Sequence, residues 1–312
     1  MNYPVVSIIC ICYNHSRFIR DAVDSVLAQD YPNVQLIIAD DHSTDNSVEI
    51  IRSIVSHYPE IIFVENKQNI GNCRTFNKAF KRSDGEFVID FSADDILMPQ
   101  RIRAGVEALQ TKGPEYGVHY SDAMIINEDG VAMGIYSQVT KTVRNLSVMP
   151  EGDVFSTIVE RYFICPPTLM ARREVFESLG GYDESLDYED FDFLVRASRI
   201  FNFCYSPDLL VKRRIVKGSK SDRQYKNNSP YYLSTLRVCE KALQMVASKG
   251  EKNALNKRMR YECRQAIRVG EKEIATGYIR LMRQNKLNNI ERLFYKTVVS
   301  LLTKTLLLRM VI

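Results

Sequence analysis

Glycine and proline are scarce in this chain, 14 and 10 among 312 residues, too few for a linker-rich or collagen-like polypeptide. Long apolar runs are missing too. No stretch reaches the ~18 uncharged apolar residues of a spanning helix, and the nearest candidate, 297–312, is interrupted by Lys304 and Arg309. The first apolar run, Val5 to Cys12, has no basic segment before it and no small-residue cleavage site after it, so no secretory leader is expected. The seven cysteines have neither the paired spacing of a disulfide framework nor the repeated C-x₂-C of a zinc site. Reduced thiols in a cytoplasmic protein, soluble or peripheral on a membrane, are the expectation.

What is present is ordinary in amount and uneven in place. Hydrophobic residues make up 45% and charged residues 26%, the balance of a globular protein that buries its own core. The length allows one large domain or two ordinary ones. Residues 1–211 carry 18 Lys and Arg against 31 Asp and Glu, whereas 212–312 carry 24 against 7. That asymmetry predicts two parts, 1–215 and 216–312, the second basic, mainly helical and facing an anionic surface.

The first part alternates short apolar runs with helical periodicity. Strands are expected at Val5–Cys12, Val34–Ala39, Ile61–Val64 and Phe87–Phe91, with further strands at Val118–Ser121 and Thr168–Ala171. Between them, apolar residues at helical spacing (Phe18, Ala22, Val23, Val26; then Val48, Ile51, Ile54, Val55) predict helices. Further helices are expected at Thr75–Lys81, Pro99–Leu109, Glu174–Leu179 and Glu189–Ile200, the third ended by Gly180 and Gly181. This order predicts an α/β fold with a parallel sheet flanked by helices. Ligands of such sheets bind outside the carboxyl ends of the strands.

Acidic clusters fall at those ends. In ADDHSTDNS (39–47), Asp45 or Ser43 could simply cap the next helix, which leaves Asp40 and Asp41 to explain; a carboxylate there can accept hydrogen bonds from a ligand. In SADDILMP (92–99), two consecutive carboxylates repel one another unless a cation or donor is near. Hard divalent ions take one or two carboxylates plus phosphate oxygens. In GGYDESLDYEDFDFLVR (180–196), Glu189, Asp190 and Asp192 sit at a helix start, where the dipole favours negative charge, or one of them serves as a general base.

These residues together resemble family 2 glycosyltransferases with the GT-A fold. The matching features run in order: VSIICICYN at 6–14, DD-x-S-T-D at 40–45, NIG at 69–71 with Asn77 six residues on, ADDILMP at 93–99, and the block from Pro166 to Arg196. Together they span about residues 5–215. The resemblance implies that Tyr13 and Asp41 hold the nucleotide base and Asp94 the ribose or sugar. It implies Asp95 as the ligand of Mg²⁺ or Mn²⁺ on the diphosphate, and Asp190, beside Glu189, as the base of an inverting transfer. Three positions depart from the family pattern. Ser92 stands where many members have a further Asp, Phe76 where many have Arg, and Val216 where a His-x-x-Ser element would place its histidine. Arg213, Arg214 or Lys217 would then supply diphosphate contact.

The implied partners are a nucleotide-sugar donor and a carbohydrate or lipid-linked glycan acceptor, in surface polysaccharide or lipid-linked oligosaccharide synthesis. Transfer to a polyprenyl phosphate and a non-catalytic nucleotide-sugar-binding module are the alternatives. A sugar-1-phosphate nucleotidyltransferase is disfavoured, because no glycine-rich, Arg-containing loop follows the first strand. Residues 290–312, with Leu293, Phe294, Val298, Leu301, Leu302, Leu306 and Leu308 interspersed by Lys296, Lys304 and Arg309, resemble an interfacial helix that would dock on an anionic membrane. No nucleic-acid motif accompanies the basic charge. His15 and His42 are expected to face solvent, and His57 and His119 to be structural.

Overall fold

The computed structural model describes residues 3–218 and 229–285. They form two compact units. Among the described residues, the first comprises 3–154, 163–185 and 200–216; the second comprises 155–162, 186–199, 217–218 and 229–285. The sequence places a division at 215/216; the last segment of the first unit ends at Val216. Two earlier stretches nevertheless cluster with the C-terminal helices. Their signal is a packing face, which no change of composition along the chain announces.

The first unit opens with β1 (Val6–Cys12), α1 (Ile19–Leu27), β2 (Val34–Asp40), α2 (Ser47–His57), β3 (Ile62–Glu65), α3 (Asn72–Phe80) and β4 (Phe87–Ser92). β1 is buried at every position and lies between β2 and β4, parallel to both. A strand covered on both faces needs this unbroken VSIICIC composition. α1 packs Ile19, Ala22, Val23 and Val26 inward, one helical stripe.

Beyond β4 the expected parallel sheet is extended by antiparallel pairings. β5 (Ile96–Leu97), α4 (Arg101–Lys112), β6 (Tyr116–Ile126), β7 (Ala132–Ile135) and α5 (Tyr136–Arg144) follow, then β8 (Met170–Arg172), α7 (Arg173–Leu179) and β9 (Asn202–Arg214). The sheet runs β3-β2-β1-β4-β8-β6-β9-β5, with β7 on β6. β8 is antiparallel to both β4 and β6, so the sheet is mixed. β6 and β9 are long partners in parallel register from Tyr116–Asn202 to Ile126–Arg214. β9 was not anticipated from sequence because Ser206, Pro207 and Asp208 interrupt its apolar pattern, and shifts of register around Asp122 absorb them. α7 ends as expected: Gly180 and Gly181 both take positive φ, and the Gly181 N–H bonds the Phe176 carbonyl.

The second unit contains α6 (Phe155–Glu160), α8 (Asp190–Ser198), α9 (Tyr231–Met245), α10 (Lys249–Arg268) and α11 (Lys272–Gln284). A capping box, Ser248 with Glu251, starts α10. Polar anchors fix α8: Asp192, 1% exposed, accepts from Arg196 Nε at 2.7 Å and Lys241 Nζ at 2.6 Å. In α10, Arg258 bonds Glu262 at 2.9 Å, donates to the Val159 carbonyl, and lies over the Phe191 ring at 4.5 Å. The interfacial helix expected at 290–312 lies outside the described residues. Among the described residues no helix is long and apolar enough to cross a membrane. All seven cysteines are buried free thiols.

Both ends of the Arg258–Glu262 pair are nearly fully buried, and removing one partner of such a pair strands the other charge. Glu262→Ala is expected to lower stability by about 3–5 kcal/mol, read as a lower urea midpoint. A midpoint within experimental error of the parent would contradict this account of the second unit.

Candidate active site at the carboxyl edge of the sheet

Neighbouring strands β2, β1 and β4 end level with one another, Cys12 opposite Asp40 and Ile11 opposite Ser92. The segments that leave them are bonded to the last carbonyls of β1: Asp41 N–H to Cys12 at 2.9 Å and Ala93 N–H to Ile11 at 3.0 Å. Tyr13, Asp41 and the Asp94–Asp95 pair therefore share one edge of the first unit. Tyr13 is 43% exposed, an aromatic ring offered to solvent at the end of the central strand.

The carboxylates of the 39–47 segment mostly serve the protein itself. Asp40 is fully buried and accepts from the Ser43 N–H at 2.8 Å and the Ser43 hydroxyl at 2.5 Å. Asp41 reaches the NIG segment: Oδ1 accepts from Ile70 N–H at 2.8 Å and Asn66 Nδ2 at 3.1 Å, and Oδ2 from Gly71 N–H at 2.9 Å. Gly71 has φ 87°, a left-handed value that favours glycine where the loop turns into α3. Asp45 ties the 13–16 loop to α2, accepting from Ser16 N–H at 3.0 Å and from the Ser47 N–H and hydroxyl at 3.0 and 2.5 Å. Asn14 and His42, both at positive φ, complete these crossed loops, and Asn14 Oδ1 accepts the Thr44 N–H at 2.8 Å.

The 92–99 segment is built differently. Asp95 is 5% exposed, and its Oδ1 accepts the Arg214 N–H at 2.7 Å. Burial, then the adjacent Asp94, push the Asp95 carboxyl well above its ordinary pKa, against the Arg214 N–H and the charges of Arg213 and Arg214. Arg214 is a strut rather than a ligand. Its Nε donates to the Asp94 carbonyl at 2.8 Å, its Nη1 to the Glu128 carbonyl at 2.9 Å, and its guanidinium covers Phe18 at 4.6 Å. Arg213 lies 6.0 Å from the Tyr136 ring. Asp94 accepts a short hydrogen bond from the Ser92 hydroxyl.

His15, expected to face solvent, instead turns inward. Its Nε2 is 4.0 Å from Asp94 Oδ2, and its Nδ1 is buried without a hydrogen-bond partner. Only its place two residues after Tyr13 hinted at this. Among the described residues, no three His, Cys, Asp or Glu side chains converge as a metal cage. The donor set at Asp94–Asp95 is carboxylate only and crowded. It fits Mg²⁺ or Mn²⁺, which keep few protein ligands and take phosphate oxygens.

Two departures from the family pattern have physical counterparts. Phe76 is fully buried and packs on Tyr182 at 4.3 Å, Phe176 at 5.1 Å and Phe80 at 6.1 Å, an aromatic layer beneath the GGYDE turn. Asn77 clamps that turn from α3: Oδ1 accepts the Tyr182 N–H at 2.9 Å, and Nδ2 donates to the Tyr182 carbonyl at 2.9 Å. Val216, at the place of the absent histidine, closes the first unit, and residues 219–221 of that stretch lie outside the described residues.

In the second unit, Asp190 opens α8, and the Tyr162 hydroxyl donates to its Oδ2 at 3.2 Å. Glu189, at the N-cap, has one carboxylate oxygen buried without a hydrogen-bond partner. Asp192 is excluded from ligand chemistry by its two cations.

With this geometry in hand, comparison with known proteins is decisive for the family. The model of "Glycosyl transferase family 2" matches residues 7–180. The chain belongs to glycosyl transferase family 2. It is 32% identical over 182 residues to the uncharacterized glycosyltransferase alr2836 of Nostoc sp. strain PCC 7120, covering 57% of this chain and 54% of that one. The chain spans about a third to two thirds of the length of the curated relatives it matches. In fold it is similar to Staphylococcus aureus TarS 1–349 in complex with UDP-GlcNAc, with a TM-score of 0.67, 16% identity, and 90% of this chain and 80% of that one covered. It is also similar to the mannosyltransferase PcManGT of Pyrobaculum calidifontis in complex with GDP-Man and Mn²⁺, with a TM-score of 0.64, 16% identity, and 97% and 85% covered. The GT-A type sheet with helices at the C-terminal side is thus the fold of this family member.

Partial burial alone would raise the Asp45 pKa, but hydrogen bonds from Ser47 and Ser16 hold it below the ordinary carboxylate value. A lowered folded value means that Asp45 stabilises the fold fully above its unfolded pKa, about 3.9, and loses this as pH falls through the folded value. Asp45→Asn is expected to flatten the acid limb of stability against pH between about pH 5 and pH 2. Urea midpoints measured across that range test it, and a limb parallel to the parent would refute it.

Proposed function

We propose that this family member transfers a sugar, with inversion, from a nucleoside-diphosphate sugar to the hydroxyl of a glycan acceptor, and that a divalent cation assists. The observation that carries the reading is the Asp94–Asp95 pair, held at the carboxyl edge by the Arg214 main chain, where burial and the neighbouring carboxylate disfavour the charged form of Asp95. The nucleotide sugars in the complexes of similar fold, and the Mn²⁺ in one of them, support the same reading.

In this reading Tyr13 offers its exposed ring to the base, and Asp41 shapes the base pocket through the 69–71 loop that it holds. Asp94, steered by Ser92, meets the ribose or the sugar. Asp95 would hold Mg²⁺ or Mn²⁺, which when bound supplies positive charge to the departing diphosphate. Arg213 is the basic side chain at the end of β9 assigned to the phosphates, because the Arg214 guanidinium is committed to backbone carbonyls.

Asp190 is the base. As the anomeric carbon gains oxocarbenium character the acceptor hydroxyl must lose its proton, and a positioned carboxylate contributes typically 10²–10⁴-fold. The Tyr162 hydroxyl donates to Oδ2 of Asp190 and orients the carboxylate that takes that proton. Attack on the face opposite the leaving group inverts the centre without a covalent intermediate. Glu189 beside it adds negative charge. Such transfers suit the building of a surface polysaccharide or lipid-linked oligosaccharide.

The test is a screen of nucleotide sugars with Mn²⁺, read as released nucleoside diphosphate, followed by titration calorimetry of the productive donor. Asp95→Ala is expected to abolish the Mn²⁺-dependent part of donor binding. Asp190→Asn should keep donor affinity and slow transfer by about 10²–10⁴-fold. Normal turnover in both variants would overturn the site assignment. Normal turnover in Asp190→Asn alone would point to a phosphate acceptor, which needs no strong base.

A further inference from the structure

A second hollow in the first unit, whose lining includes none of the acidic edge residues, lies between α5, the segment around residue 148, and the middle of β9. Its volume is about 570 Å³, within the range of small-molecule sites. Ile135, Val148, Met149 and Leu209 make an apolar wall, and the Tyr205 ring, packed on Tyr120 at 4.9 Å, adds a flat side.

The polar groups of the hollow are unevenly available. Asp122 is 5% exposed and wholly engaged: Oδ1 accepts the N–H groups of Ala123 at 2.8 Å and Ser137 at 2.9 Å, and Oδ2 accepts the Ser137 hydroxyl. It pins the first turn of α5 and has little left for a ligand. Lys141 also lines the hollow, and among the described residues no ion pair engages it. Residues 131–150 contain Lys141 and Arg144 and not one Asp or Glu, although residues 1–211 as a whole carry a large acidic excess.

The surroundings are apolar on the solvent side as well. α5 buries Ser137 and Thr140 and turns Val139 and Val143 outward, 50% and 69% exposed; Val148 is 69% exposed. A soluble surface gains nothing from this inversion of a helix. The lining also includes the neutral polar side chains of Gln138, Ser147 and Tyr205, and its charged groups are the engaged Asp122 and Lys141. One cation, an apolar wall and an apolar rim together select an amphiphile with an anionic head.

We infer that this hollow binds an amphiphilic phosphate, the headgroup meeting Lys141 and the hydrocarbon lying along Val148, Met149 and Leu209. The inference does not depend on the transfer reaction, since none of these residues is assigned to it.

The test uses the full chain and titration calorimetry with decyl phosphate below its micellar concentration. Inorganic phosphate and decyltrimethylammonium serve as the head-only and opposite-charge probes. Saturable binding of one decyl phosphate per chain is expected, with both other probes at least about tenfold weaker. Lys141→Gln and Val148→Asp, at positions exposed enough to leave the fold intact, should each weaken decyl phosphate by about tenfold, with donor hydrolysis unchanged. Equal binding of inorganic phosphate would mean a simple anion site and overturn the proposal. So would absent binding of decyl phosphate, or binding unchanged in both variants, which would place it elsewhere on the chain. Vesicles of phosphatidylcholine with and without phosphatidylglycerol then separate the two sources of such a head. Cosedimentation that needs phosphatidylglycerol and is lost in Val148→Asp assigns the hollow to a bilayer lipid. Decyl phosphate binding without cosedimentation assigns it to a single lipid phosphate.

Discussion

The Arg214 main chain, donating to Asp95 Oδ1 at 2.7 Å, holds the acidic loop to the end of β9. The same residue's side chain crosses to the carbonyls of Asp94, Asn127 and Glu128. Adjacent carboxylates repel one another and burial penalises the charged form of Asp95, so the loop needs a tether to hold the pair at the edge. Tethering one of them to a backbone donor keeps the pair at the sheet edge, where it is electrostatically unsatisfied. Comparable clasps recur along that edge. Asp41 holds the 69–71 loop, Asp45 holds the 13–16 loop, and Asn77 holds the turn after α7.

Much of this was legible in the sequence, and the limits are instructive. β1 to β4 and the helices between them could be read because buried parallel strands and amphipathic helices have distinct periods. The β6–β9 half could not. Its strands carry bulges and polar insertions, and its mixed direction depends on which edge β8 joins, which no local pattern encodes. α5 escaped notice because its period is inverted, with small polar residues inside and valines outside.

At the site, the sequence announced the carboxylates and hid the division among them. Asp40, Asp41, Asp94 and Asp95 read alike as acidic pairs after strands. The structure separates them by what each oxygen accepts: three protein donors for Asp41, and for Asp95 one backbone N–H at Oδ1 with Asp94 alongside. His15 shows the converse. A lone loop histidine carries little sequence signal beyond its closeness to Tyr13, yet the crossed loops fix its backbone N–H on the Ser47 hydroxyl at 3.0 Å and turn its ring toward Asp94.

The departures from the family pattern follow the same physics. A third carboxylate at position 92 would add repulsion to a pair already held against it; Ser92 supplies a donor to Asp94 instead, so the cluster carries one charge fewer. An arginine at position 76 would need carboxylate or phosphate partners, whereas Phe76 is enclosed by Phe80, Phe176 and Tyr182 and exchanges polar reach for a rigid layer under the GGYDE turn. The two changes are consistent with one another. With less negative charge at the acidic loop, less fixed positive charge is required around it, and what remains, Arg213 near the Tyr136 ring and Arg214 across the loop, comes from the end of one strand. The sheet edge therefore works with fewer fixed charges of either sign, and its arginines lie on the strand that also holds the loop in position.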